Sequence, residues 1–76
     1  MNDSEITLLE QCLGKSVRLD MRDGEVISAR VRFVSRAEQD VIVDLLWTNR
    51  PERYERTDVQ PAFQFLFEDI EWVEPC

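Results

Sequence analysis

Arg50, Arg53 and Arg56 recur at a spacing of three around the chain's single tyrosine, Tyr54, in the segment RPERYER. Guanidinium forks beside an aromatic plate are the side-chain types that hold a phosphate and stack a base. Glu52 and Glu55 nearly cancel that positive charge, so the segment reads first as a solvated loop with local ion pairs and second as a site for an anion or a partner's carboxylate. A second group, Glu68, Asp69 and Glu71, is the only dense set of carboxylates. Paired carboxylates can exchange protons or bind a divalent cation. Nothing nearby supplies a nucleophile or a phosphate-cradling loop, since Gly14 and Gly24 are the only glycines. There is no histidine and there are two cysteines, which excludes histidine-containing zinc sites and Ser-His or Cys-His catalysis within one chain. The expectation is a non-enzymatic protein with no catalytic residues, no metal and no cofactor.

The 76 residues make one small domain spanning 1–76. Hydrophobic residues are 43% and charged residues 33%, a globular composition. A net charge of −7 argues against bulk electrostatic capture of nucleic acid or of an anionic membrane. That charge is uneven. Residues 14–57 hold nine bases and eight acids, residues 58–76 five acids and no base, and the first 13 residues three acids and no base. Acidic chain ends suit a solubility device or a rim that meets a basic protein. The start, MNDSEITLLEQCLG, has no basic region and no apolar run beyond two residues, so neither a signal peptide nor a membrane span is expected. Two cysteines cannot form a disulfide framework. Cys12 is expected as a buried free thiol and Cys76 as an exposed terminal thiol, which points to a reducing, cytoplasmic setting.

The pattern around these residues predicts the elements that position them. Residues 4–13 read as a helix capped by Ser4 and closed by Gly14, with Ile6, Leu9 and Leu13 at helical spacing. The period then becomes two. Val17, Leu19 and Met21 alternate with Arg18, Asp20 and Arg22; Asp23-Gly24 gives a hairpin turn. Ile27, Ala29, Val31 and Phe33 predict one face of a second strand ending near Val34. Val41, Val43, Leu45 and Trp47 predict a third. Residues 48–61 read as a loop. Phe63, Phe65 and Phe67 share a face of a fourth strand, and Ile70 and Trp72 share a face of a short fifth. Arg18, Arg22, Arg30 and Arg32, interleaved with Asp20, Asp23 and Glu25, are expected on a solvated, ion-paired sheet face. The fold class is therefore all-β: an N-terminal helix followed by a small, strongly bent, five-stranded antiparallel barrel of SH3-like form.

At this point the sequence resembles the Sm-like (LSm) family. Leu13-Gly14-Lys15-Ser16-Val17 looks like that family's entry into its first strand. Residues 17–24, VRLDMRDG, resemble the first half of its first motif, with Gly24 at the turn glycine; Asp40-Val41-Ile42-Val43-Asp44 resembles that motif's end. The likeness covers roughly residues 6–46 and more loosely 63–74. It implies a ring in which strand four of one subunit pairs with strand five of the next. It also places Asp40 where the family keeps an RNA-contacting Asn. Ala29 stands near the family's usual second-strand glycine. Where the family's second motif carries Arg-Gly or Lys-His, this chain has Glu68-Asp69, so two carboxylates face the phosphate path. The chain thus resembles a diverged member lacking the usual second-motif RNA-binding residues.

Three readings follow. The first is a homo-oligomeric ring serving as a binding or assembly scaffold, with Phe63, Phe65, Leu66, Phe67, Ile70 and Trp72 at the interface between copies. A diverged RNA-binding protein using Arg50, Arg53, Tyr54 and Arg56, with Asp40, is the second. The third is a monomeric SH3-like module that takes another protein in a groove around Trp47 and Tyr54. None involves a membrane.

Overall fold

A computed structural model describes residues 1–54 and 62–74. Helix α1 (Asp3–Gln11) precedes five strands: β1 (Ser16–Met21), β2 (Val26–Ser35), β3 (Asp40–Thr48), β4 (Ala62–Leu66) and β5 (Ile70–Glu74). Single 3-10 turns lie at Pro51–Arg53 and Phe67–Asp69, so Phe67 belongs to a turn rather than to β4. The strands form one antiparallel sheet in the order β4-β3-β2-β1-β5, which leaves β4 and β5 at its two edges. Among the described residues no helix is long and apolar enough to cross a membrane.

The helix begins earlier than its apolar pattern suggests. Its cap is Asn2, not Ser4: the Asn2 side chain accepts from the Glu5 backbone N–H at 2.9 Å, and Glu5 accepts from the Asn2 N–H at 3.4 Å. Asn2 has a glutamate three residues on, which closes this reciprocal box; Ser4 has Thr7 there, too short to reach back. From the β2–β3 turn, Arg36 reaches over the helix and donates to Asp3, Thr7 and Glu10, the last at 2.7 Å. That bond holds the Glu10 carboxyl below the usual carboxylate range.

Period two places most of the core as expected. Val17, Leu19, Met21, Ile27, Ala29, Val31, Val41 and Val43 line the inner face, closed by Leu9 and Cys12 from α1 and the residue after it, and by Phe67, Ile70 and Val73. Three aromatic positions depart from expectation, and a β-bulge precedes each. The β2–β3 register slips between Ser28/Trp47 and Ala29/Leu45, so Leu46 is an extra residue and Trp47 turns outward, 56% exposed. A second slip at Arg32 turns Phe33 outward, 60% exposed. In β5 the slip at Glu71 puts Val73 with Ile70 on the inner face and leaves Trp72 53% exposed. One inserted residue reverses which face every later side chain meets.

Cys12 is buried as expected, but it is disulfide-bonded and not a free thiol. Burial preference alone does not separate the two states, because both are apolar, so the thiol argument for a reducing compartment falls. Cys76 lies outside the described residues.

The Asp23-Gly24 turn holds. Gly24 has φ +93°, and a Cβ there would stand 3.3 Å from the Arg50 guanidinium. Replacing Gly24 with Ala is expected to cost about 1–2 kcal/mol, seen as a fall of roughly 5–15 °C in the thermal midpoint by circular dichroism. An unchanged midpoint would show that the turn relaxes freely.

Candidate functional site

The chemistry-bearing side chains of the turn segment converge on one carboxylate, Glu25. It occupies the inner parity of β2's run, two residues before Ile27, and only 3% of it is exposed. The sequence reading placed it on a solvated face; the structure corrects this. A buried carboxylate must be met by donors, and Glu25 has three. Thr48 Oγ1 donates to its Oε2 at 2.5 Å, the Tyr54 hydroxyl to the same oxygen at 2.8 Å, and Arg53 Nη1 to Oε1 at 3.1 Å. Arg53 Nη1 also donates to Asp23 Oδ2 at 2.5 Å. Arg50 donates through Nη2 to the Asp23 backbone oxygen at 3.0 Å and through its N–H to Thr48 Oγ1 at 3.0 Å. Asn49 and Val26 exchange side-chain and backbone bonds at 2.9 and 3.1 Å, which fixes the exit of β3 against the entry of β2.

The electrostatics follow from these contacts. The Arg53 bond, then the Glu25 N–H, hold the Asp23 carboxyl below its ordinary range. Burial, then the bond to Glu25, push the Tyr54 phenol well above its usual value. The Tyr54 ring stands edge-on to Phe63, with centroids 4.9 Å apart. A cavity of about 430 Å³ opens beside the network, lined by Met21, Arg22, Asp23, Glu25, Arg53, Tyr54, Phe65 and Asp69. Arg53, Asp23 and Glu25 in that lining already satisfy one another. An incoming phosphate would displace two carboxylates from Arg53 and stand beside them.

Of the residues picked out for anion or RNA contact, Arg50, Arg53 and Tyr54 come together, but as ties on the β1–β2 turn. Arg56 lies outside the described residues. Asp40 is at the other end of β3, roughly 25 Å away at about 3.3 Å per residue. There it is buried and accepts a hydrogen bond from the Gln64 amide. The arginines of the first hairpin are divided. Arg18 pairs with Asp20 on its own strand at 2.9 Å, Arg32 with Asp44 at 3.5 Å, and Arg22 donates to the Glu68 backbone oxygen. Among the described residues no group of three or more acidic or cysteine side chains is placed to hold a metal ion.

The residues picked out for an interface separate into two sets. Phe67 and Ile70 are core, and Phe63 and Phe65 pack against it. Leu66 on β4 and Trp72 on β5 are exposed, one at each sheet edge. Trp47 and Tyr54 line different clefts: Trp47 stands with Arg18, Val26, Ser28 and Asn49, and Tyr54 with the Glu25 cavity.

Sequence reasoning missed Glu25 and its partner Thr48. The signal was present in parity, since residues 25, 27, 29 and 31 fall on one face of a strand. Comparison with family models, with curated proteins and with solved structures returned no match for this chain.

Proposed function

We propose that this chain is a diverged Sm-like barrel that assembles into a homo-oligomeric ring and works there as a non-enzymatic binding or assembly scaffold. The observation that carries the reading is the strand order. It puts β4 and β5, each five residues long, at the two edges of the sheet. Each edge presents a row of backbone donors and acceptors that a second copy can pair. Charge disfavours one of the possible combinations. β5 carries Glu71 and Glu74, so β5 against β5 sets like charges together, whereas β4 carries no charged residue. Pairing β4 of one copy with β5 of the next avoids that repulsion. Such a head-to-tail contact closes into a ring when the rotation allows. A core this small rarely supplies more than about 3–5 kcal/mol, and assembly is a common remedy.

The test is mass in solution. Light scattering after gel filtration at tens of micromolar is expected to give a discrete multiple of the 9.0 kDa chain. A monomer throughout would sink the ring. The internal engagement of Arg53 and Tyr54 favours the scaffold over RNA binding. Accordingly, a U-rich or A-rich oligonucleotide at low salt is expected to leave the mass unchanged, and a salt-sensitive complex weakened by Arg53→Ala would reverse that ranking.

A further inference from the structure

The fold brings the two acidic ends of the chain together, because α1 packs against β5. Neither element contains a base: α1 carries Asp3, Glu5 and Glu10, and β5 carries Glu71 and Glu74. Between them runs a groove of about 370 Å³, lined by Asn2, Ser4, Glu5, Leu8, Trp72 and Val73. That volume is at the lower end of ligand-sized pockets. Its walls are mainly apolar, from Leu8, Val73 and the exposed indole of Trp72. One oxygen of Glu5 is committed to the helix cap. The other, Oε2, is buried and has no hydrogen-bond partner among the described residues. A buried carboxylate oxygen without a donor is costly, and a cationic donor removes that cost. Two arginines that approach these elements are occupied elsewhere: Arg36 by Asp3 and Glu10, and Arg18 by Asp20.

We propose that the groove between α1 and β5 receives a lysine or arginine side chain from an extended basic segment of a partner protein. The aliphatic stem lies along Leu8 and Val73, the cationic head meets Glu5, and Trp72 covers it from the side as a cation–π plate. Charge complementarity selects a basic occupant, since the chain's net charge is −7 and neither α1 nor β5 holds a base of its own. The groove uses the face of β5, whereas the proposed ring draws on its backbone edge. Strands pair within the plane of a sheet, whereas the Trp72 side chain stands out of that plane.

Octalysine with blocked ends is the probe, titrated into the full chain at about 20 mM salt so that screening is weak. Glu5→Gln preserves the capping box and removes the charge; Glu71→Gln removes one charge from β5 outside the groove. Losing a partly buried charged hydrogen bond predicts about tenfold weaker binding for Glu5→Gln, and Glu71→Gln is expected to change it less than about twofold. Trp72→Ala is expected to weaken binding by about threefold to fivefold. In wild-type protein the Trp72 indole N–H resonance should shift on titration and that of Trp47 should not, a readout that needs no variant. Equal losses in Glu5→Gln and Glu71→Gln, a shift confined to Trp47, or no binding at all would each overturn the proposal.

Discussion

Glu25→Ala is expected to lower stability by about 3 kcal/mol, roughly 1 kcal/mol for each of three hydrogen bonds lost. The Arg53 bond contributes least of the three because the Arg53 side chain is 41% exposed. The buried Thr48 hydroxyl loses its acceptor outright, and Tyr54 loses the anchor that holds its ring against Phe63. At about 4–8 °C per kcal/mol for a domain of this size, the thermal midpoint should fall by roughly 12–24 °C. Since the whole core supplies only about 3–5 kcal/mol, much of the variant should be unfolded at room temperature unless assembly compensates. Glu25→Gln keeps an acceptor for Thr48 and should lose about half as much. Circular dichroism melts of the two variants check this. Equal, small losses would mean that the turn is held by packing and not by the carboxylate.

The second large effect is on alkaline titration. The phenol of Tyr54 is shifted upward in the folded protein, by burial first and by the Glu25 bond second. A group whose folded pKa lies above its unfolded value stabilises the fold fully below the unfolded pKa. For tyrosine that value is about 10, and the contribution is lost as pH rises through the folded value. Tyr54 is the only tyrosine, so phenolate absorbance at 295 nm reports it alone. The expected result is no phenolate signal near pH 10 while the circular dichroism stays native. Above that the two signals should change together as the chain opens. In Glu25→Gln, with one cause removed, the phenolate should appear at lower pH. An inflection near pH 10 in fully native wild-type protein would show that Tyr54 faces water.

Much of the architecture was legible because strand parity and turn chemistry are local. Asp23-Gly24 set the hairpin, and Val17 to Met21 and Ile27 to Val31 set the inner faces. Phe33, Trp47 and Trp72 were misplaced for one shared reason. A bulge depends on how two strands meet, and nothing in the run of one strand announces the extra residue. The Asn2 cap was readable from the glutamate three residues on, yet the apolar pattern drew attention to Ser4. The candidate site was harder still. RPERYER reads as an anion site or as a loop paired within itself through Glu52 and Glu55, and only the fold shows that Asp23, Glu25 and Thr48 stand close enough to engage Arg50 and Arg53. Glu25 itself was hidden by its type: a carboxylate beside a turn is ordinarily solvated, and parity alone argued otherwise.

The pairing of β1 with β5 has a consequence for how the chain acquires its shape. It joins Arg18 to Glu74, near the two ends of the sequence, whereas the β1–β2 hairpin closes across a few residues. Closing the longer loop costs more chain entropy and is rewarded only after its ends meet. The hairpin and β3 can therefore assemble early, and β5 must dock late. Until β5 docks, the partly folded chain would hold the β1 edge open and the seat for Ile70 and Val73 vacant.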